Sequence, residues 1–408
     1  MPATTQAAGG DRLKIAFVYD GLYPFVNGGA ERRYHEIATR LAERHEVHTV
    51  SWRHWGADQP PEADGVHRHG VGAPPPLYGA DGRRTVREAA AFAWRVVPHL
   101  LANRYDVIDC SATPYLPVYS VWLAARLRRT PLVVTWHEVW GEYWRKYLQD
   151  RPLVGRVAVR AEAHSRPLGD MAVAVSPFTA RRLEDLGNGP SIEVIPNGVD
   201  VAHIDATAPA DEPIDVIFIG RLIADKKVDD LLHGTALLKE ERPGVTVTIV
   251  GDGPERPTLE DLSLSLGLGS NVTFTGRLEG AGVIGQLKAA KVLAMPSVRE
   301  GYGLTVVEAM AAGAVPVVVR APMSAASELL EDGETGLVTE PGAAALASAI
   351  GRLLRDPVTR EEMSTRAKAA AKQHDWKMAA QRIEDLYGSI LMRKSPFRGE
   401  REATHADL

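Results

Sequence analysis

Two glutamates eight positions apart, Glu300 and Glu308, bracket a glycine-containing segment, Glu300-Gly301-Tyr302-Gly303-Leu304-Thr305, between an apolar run ending near Pro296 and a helical pattern starting near Thr305. The N–H groups of 301–304, with a helix N-terminus behind them, form a natural diphosphate cradle. A carboxylate is a strong acceptor for a pair of hydroxyls, because charge-assisted hydrogen bonds are the stronger kind. Taken alone, Thr305-x-x-Glu308 reads first as a helix capping box, which is usually only structural. Upstream, Gly220-Arg221 ends an apolar run and Lys226 precedes a helix. Two cations fixed at such a turn can neutralise the charge that grows on a departing diphosphate; as isolated residues they read as solvated surface cations.

The first half of the chain has fewer such signals. Asn27-Gly28-Gly29-Ala-Glu31 follows an apolar run and opens a helix, so its two glycines allow close backbone approach to an anionic ligand. It lacks the G-x-G-x-x-G spacing of a dinucleotide site. His137 and Ser176 each end an apolar run, His137 as a ligand contact or a structural histidine, Ser176 as a cleft residue or a helix cap. After His137, the residues Trp140, Tyr143, Trp144, Arg145, Lys146 and Tyr147 crowd together. Such aromatic faces suit sugar or aminocyclitol rings, membrane headgroups or plain helix packing. Arg83, Arg84 and Arg87, before an apolar stretch, add to the membrane option. No Asp-x-Asp occurs, no histidine pair has the ligand spacing of a zinc helix, and nothing resembles Ser-His-Asp chemistry.

These residues need a scaffold, and the 408-residue chain is long enough for two domains, since one core seldom grows past about 250–300 residues. Short apolar runs alternate with helical patterns throughout, which is the mark of parallel sheets covered by helices. The first series of strands is expected near 14–19, 46–51, 107–110, 132–136, 171–176 and 192–195. A second is expected near 215–220, 246–251, 272–276, 292–295 and 315–319, with helices such as 31–44, 228–241 and 305–312. The proline-bearing stretch 200–213 reads as a linker. The predicted organisation is a disordered leader 1–12, a first Rossmann-like domain 13–205, a second 206–375 and a disordered tail 393–408. Two doubly wound domains face each other across a cleft at the carboxyl ends of their strands.

Composition narrows the function. A net charge of -5 gives no global attraction to nucleic acid. A single cysteine, Cys110, leaves no intrachain disulfide and fits a reducing compartment. No run of about 18 apolar residues and no signal-peptide pattern occurs, so a cytoplasmic protein is expected, free or at the inner membrane face.

The segment EGYGLTVVEAMAAGAVPVVV resembles the E-x7-E motif of retaining glycosyltransferases of family 4, the glycosyl transferases group 1, and the likeness extends over 13–387. It implies the GT-B fold, with the final helix, 376–392, returning to the first domain. It assigns Glu300 to the donor sugar, Glu308 to the ribose hydroxyls and Lys226 to the phosphates with Arg221. Lys227 stands as a substitute for Lys226, at a position where the family often has Gly or Asn. The likeness lays Gly28 and Gly29 under the phosphates and turns His137 toward the acceptor and the C6 side of the sugar. Donor contacts are then expected from Gly301 to Thr305, and a base pocket from Gly251, Gly276, Arg277 and Leu278. His137, Trp140, Tyr143, Trp144 and Ser176 form the acceptor side. The implied activity is retaining transfer from a nucleotide diphosphate sugar, without metal or cofactor, to a sugar, aminocyclitol, polysaccharide or lipid-linked acceptor. An epimerase, a phosphorylase or a silent sugar-nucleotide binder is the alternative.

Overall fold

The computed structural model describes residues 12–56, 62–77, 79 and 84–394. The expected leader and tail, and Arg83, lie outside the described residues apart from Arg12, Arg393 and Lys394.

The first sheet has eight strands, in the order Glu62–Ala63, Val66–Gly70, Glu46–Ser51, Lys14–Val18, Val107–Ser111, Leu132–Trp136, Met171–Ala174 and Ile192–Val194. All neighbours are parallel except the first pair. The second sheet is wholly parallel, in the order Val272–Gly276, Val247–Val250, Ile214–Ile219, Ala290–Met295, Val315–Val319 and Leu337–Thr339. Continuous apolar strands suit such sheets because helices cover both faces. Ile15 and Phe17 pack with helices Gly29–Ala42 and Trp376–Lys394, while Ala16 and Val18 pack with helices Val86–Ala102 and Tyr115–Arg128. Strand order reverses beside Lys14–Val18 in one sheet and beside Ile214–Ile219 in the other. A crevice opens at such switch points, past the carboxyl ends of the strands.

The chain crosses between the domains twice, side by side. Val199 N donates to His374 O at 2.6 Å, and Val199 pairs with Asp375 as an isolated bridge. A Cβ on Gly198 would lie 2.5 Å from Trp376 N, so only glycine permits this contact. Trp376 and Tyr387 are then fully buried against the first domain. There Asp109 accepts from Tyr34 at 3.1 Å, Thr135 at 2.8 Å and Tyr387 at 2.8 Å, so one buried carboxylate joins sheet, first helix and returning helix. The stretch 200–213 is more structured than its composition predicts. Asp200 caps the helix Val201–Ala206, and Lys288 Nζ donates to the carbonyls of Ile204, Asp205 and Thr207 at 2.6–3.1 Å. This segment is fastened to the second domain.

Toward the outer edge of the first sheet, His48 Nδ1 and His69 Nε2 lie 2.8 Å apart, and the His99 ring lies beyond His69, tilted 45° with centroids 4.6 Å apart. Burial, then the neighbouring His99, His48, His67 and Lys14, lower the His69 pKa from 6.5 to about 4. Between those values the unfolded chain binds the extra proton, so stability rises with pH across this window and is lost as pH falls through it. We expect the unfolding temperature to decline below pH 6.5 and continue falling to about pH 4. His69→Gln should make that decline shallower. A variant with the wild-type slope would show that this pair does not contribute.

Candidate functional site

The second-domain wall is built from strand ends. Gly220 and Arg221 follow the strand Ile214–Ile219, and Lys226 closes the short 3-10 turn Ala224–Lys226. The Lys226 ammonium donates to the carboxylate of Glu300, which lies in the two-residue strand Arg299–Glu300. Lys227 is turned away: its backbone has φ 52°, and its ammonium pairs with Asp229 at 2.8 Å. Gly251 and Gly276 sit at the ends of adjacent strands, with Gly251 N donating to Gly276 O at 2.9 Å. A Cβ on Gly251 would lie 1.9 Å from Gly220 O, so the loop rests directly on the backbone that presents Arg221. Arg277 is half-exposed beside Glu279, and Leu278 packs against the second-domain core.

The helix after Glu300 starts one residue earlier than expected, at Leu304, because Gly303 is its N-cap at φ 100°. Thr305 is therefore already inside the helix, with no side-chain cap hydrogen bond, and the capping box is absent. Glu308 instead reaches across the cleft to Arg32 of the first domain, 2.9 Å from Nη1. Burial raises the Glu308 pKa, and Arg32 opposes that rise. Tyr302 turns into the domain crossing, where its hydroxyl donates to Asn197 O and also lies 2.8 Å from His374 Nδ1.

On the first-domain wall, Gly28 is the N-cap of the helix Gly29–Ala42, whose first turn faces Glu308 through Arg32. A Cβ on Gly28 would lie 2.5 Å from Glu31 Oε2; nothing lies within 4 Å of one on Gly29, which is open to the cleft. His137 and Gly301 touch, since a Cβ on Gly301 would lie 1.9 Å from His137 O. The His137 Nε2 is buried with no protein partner among the described residues. Burial first, then Arg33, lower its pKa to about 3, so the imidazole is neutral. Ser176 does both things expected of it: its Oγ accepts from Thr179 N at 3.0 Å and lies 2.9 Å from Gly301 O across the cleft.

The aromatic segment is mostly packing. Trp140 is buried and stacks on Trp144 with centroids 4.2 Å apart, while Tyr143 donates to Asp225 of the second domain at 2.6 Å. What draws it in is Arg299, which sequence reasoning missed. Its Nη1 lies 2.5 Å from Glu138 and its Nε 2.9 Å from Asp225, and its guanidinium sits 4.1 Å over the Trp140 ring. A planar cation with two carboxylates and an aromatic face uses every recognition mode that arginine has. The sequence signal was adjacency: Arg299, Glu138 and Asp225 are each one residue from a predicted site residue.

Two facing parallel-sheet domains, with cations, carboxylates and helix N-termini meeting at their carboxyl edges, define a GT-B glycosyltransferase. The description "Glycosyltransferase Family 4" matches residues 27–203, and "Glycosyl transferases group 1" matches 202–386. The phosphatidyl-myo-inositol mannosyltransferase of Mycobacterium leprae is 31% identical over 310 residues, covering 72% of this chain and 76% of that protein. The D-inositol 3-phosphate glycosyltransferase of Salinispora tropica is 29% identical over 404 residues, covering 89% and 81%. The chain belongs to the family 4 glycosyltransferases. In fold it is similar to sucrose-phosphate synthase from Thermosynechococcus elongatus, with TM-score 0.78, 20% identity, and coverage of 94% of this chain and 100% of that one. Anabaena Alr3699/HepE, solved with UDP and glucose, gives TM-score 0.72 at 23% identity, covering 93% and 100%.

Removing one member of a buried charge cluster leaves the others unpaired, which typically costs about 3 kcal/mol. Arg299→Met should therefore lower unfolding free energy by about that amount and reduce turnover, because the loops bearing Lys226, Glu300 and His137 lose their common anchor. Denaturant unfolding measured beside turnover checks this. A methionine variant with wild-type stability would show that the cluster does not hold these loops.

Proposed function

We propose that this chain transfers a hexosyl group from a nucleotide diphosphate sugar to an acceptor hydroxyl, with retention of configuration and without a divalent metal. One observation carries the reading: two ion pairs, Lys226–Glu300 and Arg32–Glu308, meet at the cleft where both helix N-termini point. A donor can take the place of each pair's internal partner. Its diphosphate suits Lys226, Arg221 and the first turns of helices Gly29–Ala42 and Leu304–Ala312. Its ribose diol suits Glu308, its sugar hydroxyls suit Glu300, and the partnerless Nε2 of neutral His137 suits a further sugar hydroxyl.

In this reading Lys226 and Arg221 neutralise the departing diphosphate, a contribution of about 10²–10³ in rate. With two cations in that role no metal is required. Retention rests on the family likeness. The base lies against the strand ends at Gly251 and Gly276, beside Arg277 and Leu278. The acceptor enters at the switch point of the first sheet. The inositol and phosphatidylinositol acceptors named for the relatives make a polyhydroxylated ring, free or lipid-linked, the leading class. The protein works in the cytoplasm, with the inner membrane face within reach.

The test is turnover of UDP-, GDP- and ADP-sugars with inositol phosphates and phosphatidylinositol in EDTA, with the product anomer read by proton NMR. Transfer should persist in EDTA and keep the donor's configuration. Loss in EDTA with recovery on manganese would contradict the metal-free mechanism, and an inverted product would contradict retention. Nucleotide-sugar binding without turnover of any acceptor would favour a silent binding protein.

A further inference from the structure

Three helices lie side by side over one face of the first sheet: Val86–Ala102, Tyr115–Arg128 and Pro152–Ser165. Eight of the thirteen large apolar side chains that are exposed among the described residues belong to these three helices. The most open are Trp94 at 81%, Leu153 at 72% and Leu127 at 65%. Leu116, Leu123 and Leu127 are spaced seven and then four residues apart, so they form one outward stripe along the middle helix.

The charges on this layer are as selective as its apolar residues. The helix Tyr115–Arg128 contains no acidic residue, and the other two contain one each. Both of those are buried: Glu88 accepts from Trp52 Nε1 at 2.6 Å, and Glu162 accepts from the backbone of Trp140 and Gly141. What faces outward is Arg87, Arg95, Arg126, Arg156 and Arg160. The whole chain nevertheless carries a net charge of -5. Solvation alone does not call for large apolar groups interleaved with charge of a single sign. A partner that offers apolar depth and negative charge at every point does.

We propose that this three-helix face docks on the surface of an anionic lipid bilayer. The apolar side chains enter the boundary between headgroups and acyl chains, and the arginines meet the lipid phosphates above them. A second copy of the chain fits poorly, because a two-fold contact would bring these arginines against each other. Among the described residues no helix is long and apolar enough to cross a membrane, so the contact is peripheral. Helices that follow parallel strands begin at the strands' carboxyl edge, so Val86, Leu116 and Leu153 mark the end of the face nearest the cleft. A docked bilayer therefore lies beside the mouth of the acceptor crevice. This deepens the membrane contact in the proposed function, while the docking itself needs no donor and no turnover.

The test is co-sedimentation of the full chain with phosphatidylglycerol–phosphatidylcholine vesicles and with pure phosphatidylcholine vesicles, at low and high salt. The chain should bind the anionic vesicles, release from them in salt and bind the neutral ones weakly. Each arginine near an anionic surface contributes about fivefold to partitioning, so Arg126→Glu, Arg156→Glu and Arg160→Glu together should lower it about a hundredfold or more. Trp94→Ser, Leu123→Ser and Leu153→Ser together should also abolish binding. Both variants should keep the wild-type unfolding temperature and nucleotide affinity, which separates this proposal from the glycosyl-transfer reading. A wild-type chain that ignores anionic vesicles, or variants that bind like wild type, would overturn it. So would a concentration-dependent dimer dissolved by the serine substitutions in a chain that shows no vesicle binding.

Discussion

The cleft depends on one arginine held between two carboxylates. Arg299 joins Glu138 of the first domain to Asp225 of the second and covers Trp140. Each member is the immediate neighbour of a residue facing the cleft: Arg299 of Glu300, Asp225 of Lys226 and Glu138 of His137. Three loops from distant parts of the chain are therefore fixed relative to one another through their backbones. The neighbouring side chains of Lys226, Glu300 and His137 need not supply that anchoring. Such a cluster is costly to desolvate, and good geometry with full pairing is what makes it tolerable. Nearby, Ser176 against Gly301 and the contact of Gly301 with His137 draw the same walls together.

Within that frame the cleft balances its own charges. Lys226 is neutralised by Glu300, and Glu308 by Arg32. Burial pushes the Glu308 pKa up while Arg32 pulls it down. In the proposed reading, a ligand bearing both phosphates and hydroxyls meets cations of the cleft through the first and its carboxylates through the second. Farther back, Asp109 and the double crossing at Gly198 keep the returning helix on the first domain.

Much of the fold was legible because parallel strands buried on both faces are continuous apolar runs. The strands Glu46–Ser51, Leu132–Trp136, Val272–Gly276 and Val315–Val319 match their expected limits, and most others fall within one or two residues. One edge of each sheet was not legible. Val66-His-Arg-His-Gly70 carries three basic or titratable residues, and Glu62–Ala63 and Leu337–Thr339 are too short to show a period. The candidate site was legible where local spacing points to chemistry: Glu300 and Glu308 both lie at the cleft, each in an ion pair. It was opaque where partners are remote in sequence. Arg32 is 276 positions from Glu308, and Arg299 is 161 from Glu138. A lone arginine in a sequence looks solvated until the fold supplies its carboxylates. The capping reading of Thr305 failed for a local reason, since Gly303 takes the cap position through a backbone conformation that side-chain patterns do not reveal.

The most direct test of the central claim, that the Glu308 carboxylate holds the donor's ribose, is calorimetry of the bare nucleoside diphosphate with two variants. Glu308→Gln removes a charged acceptor for the diol, and Arg32→Gln breaks the same ion pair from its other side while leaving that acceptor in place. With whichever of UDP, GDP or ADP the wild type binds, Glu308→Gln should weaken affinity about 10- to 150-fold. Arg32→Gln should leave the affinity unchanged or stronger, because Glu308 no longer has to exchange partners. Wild-type affinity in Glu308→Gln, or an equal loss in both variants, would mean that Glu308 serves only its ion pair with Arg32, and the donor site as described would be wrong.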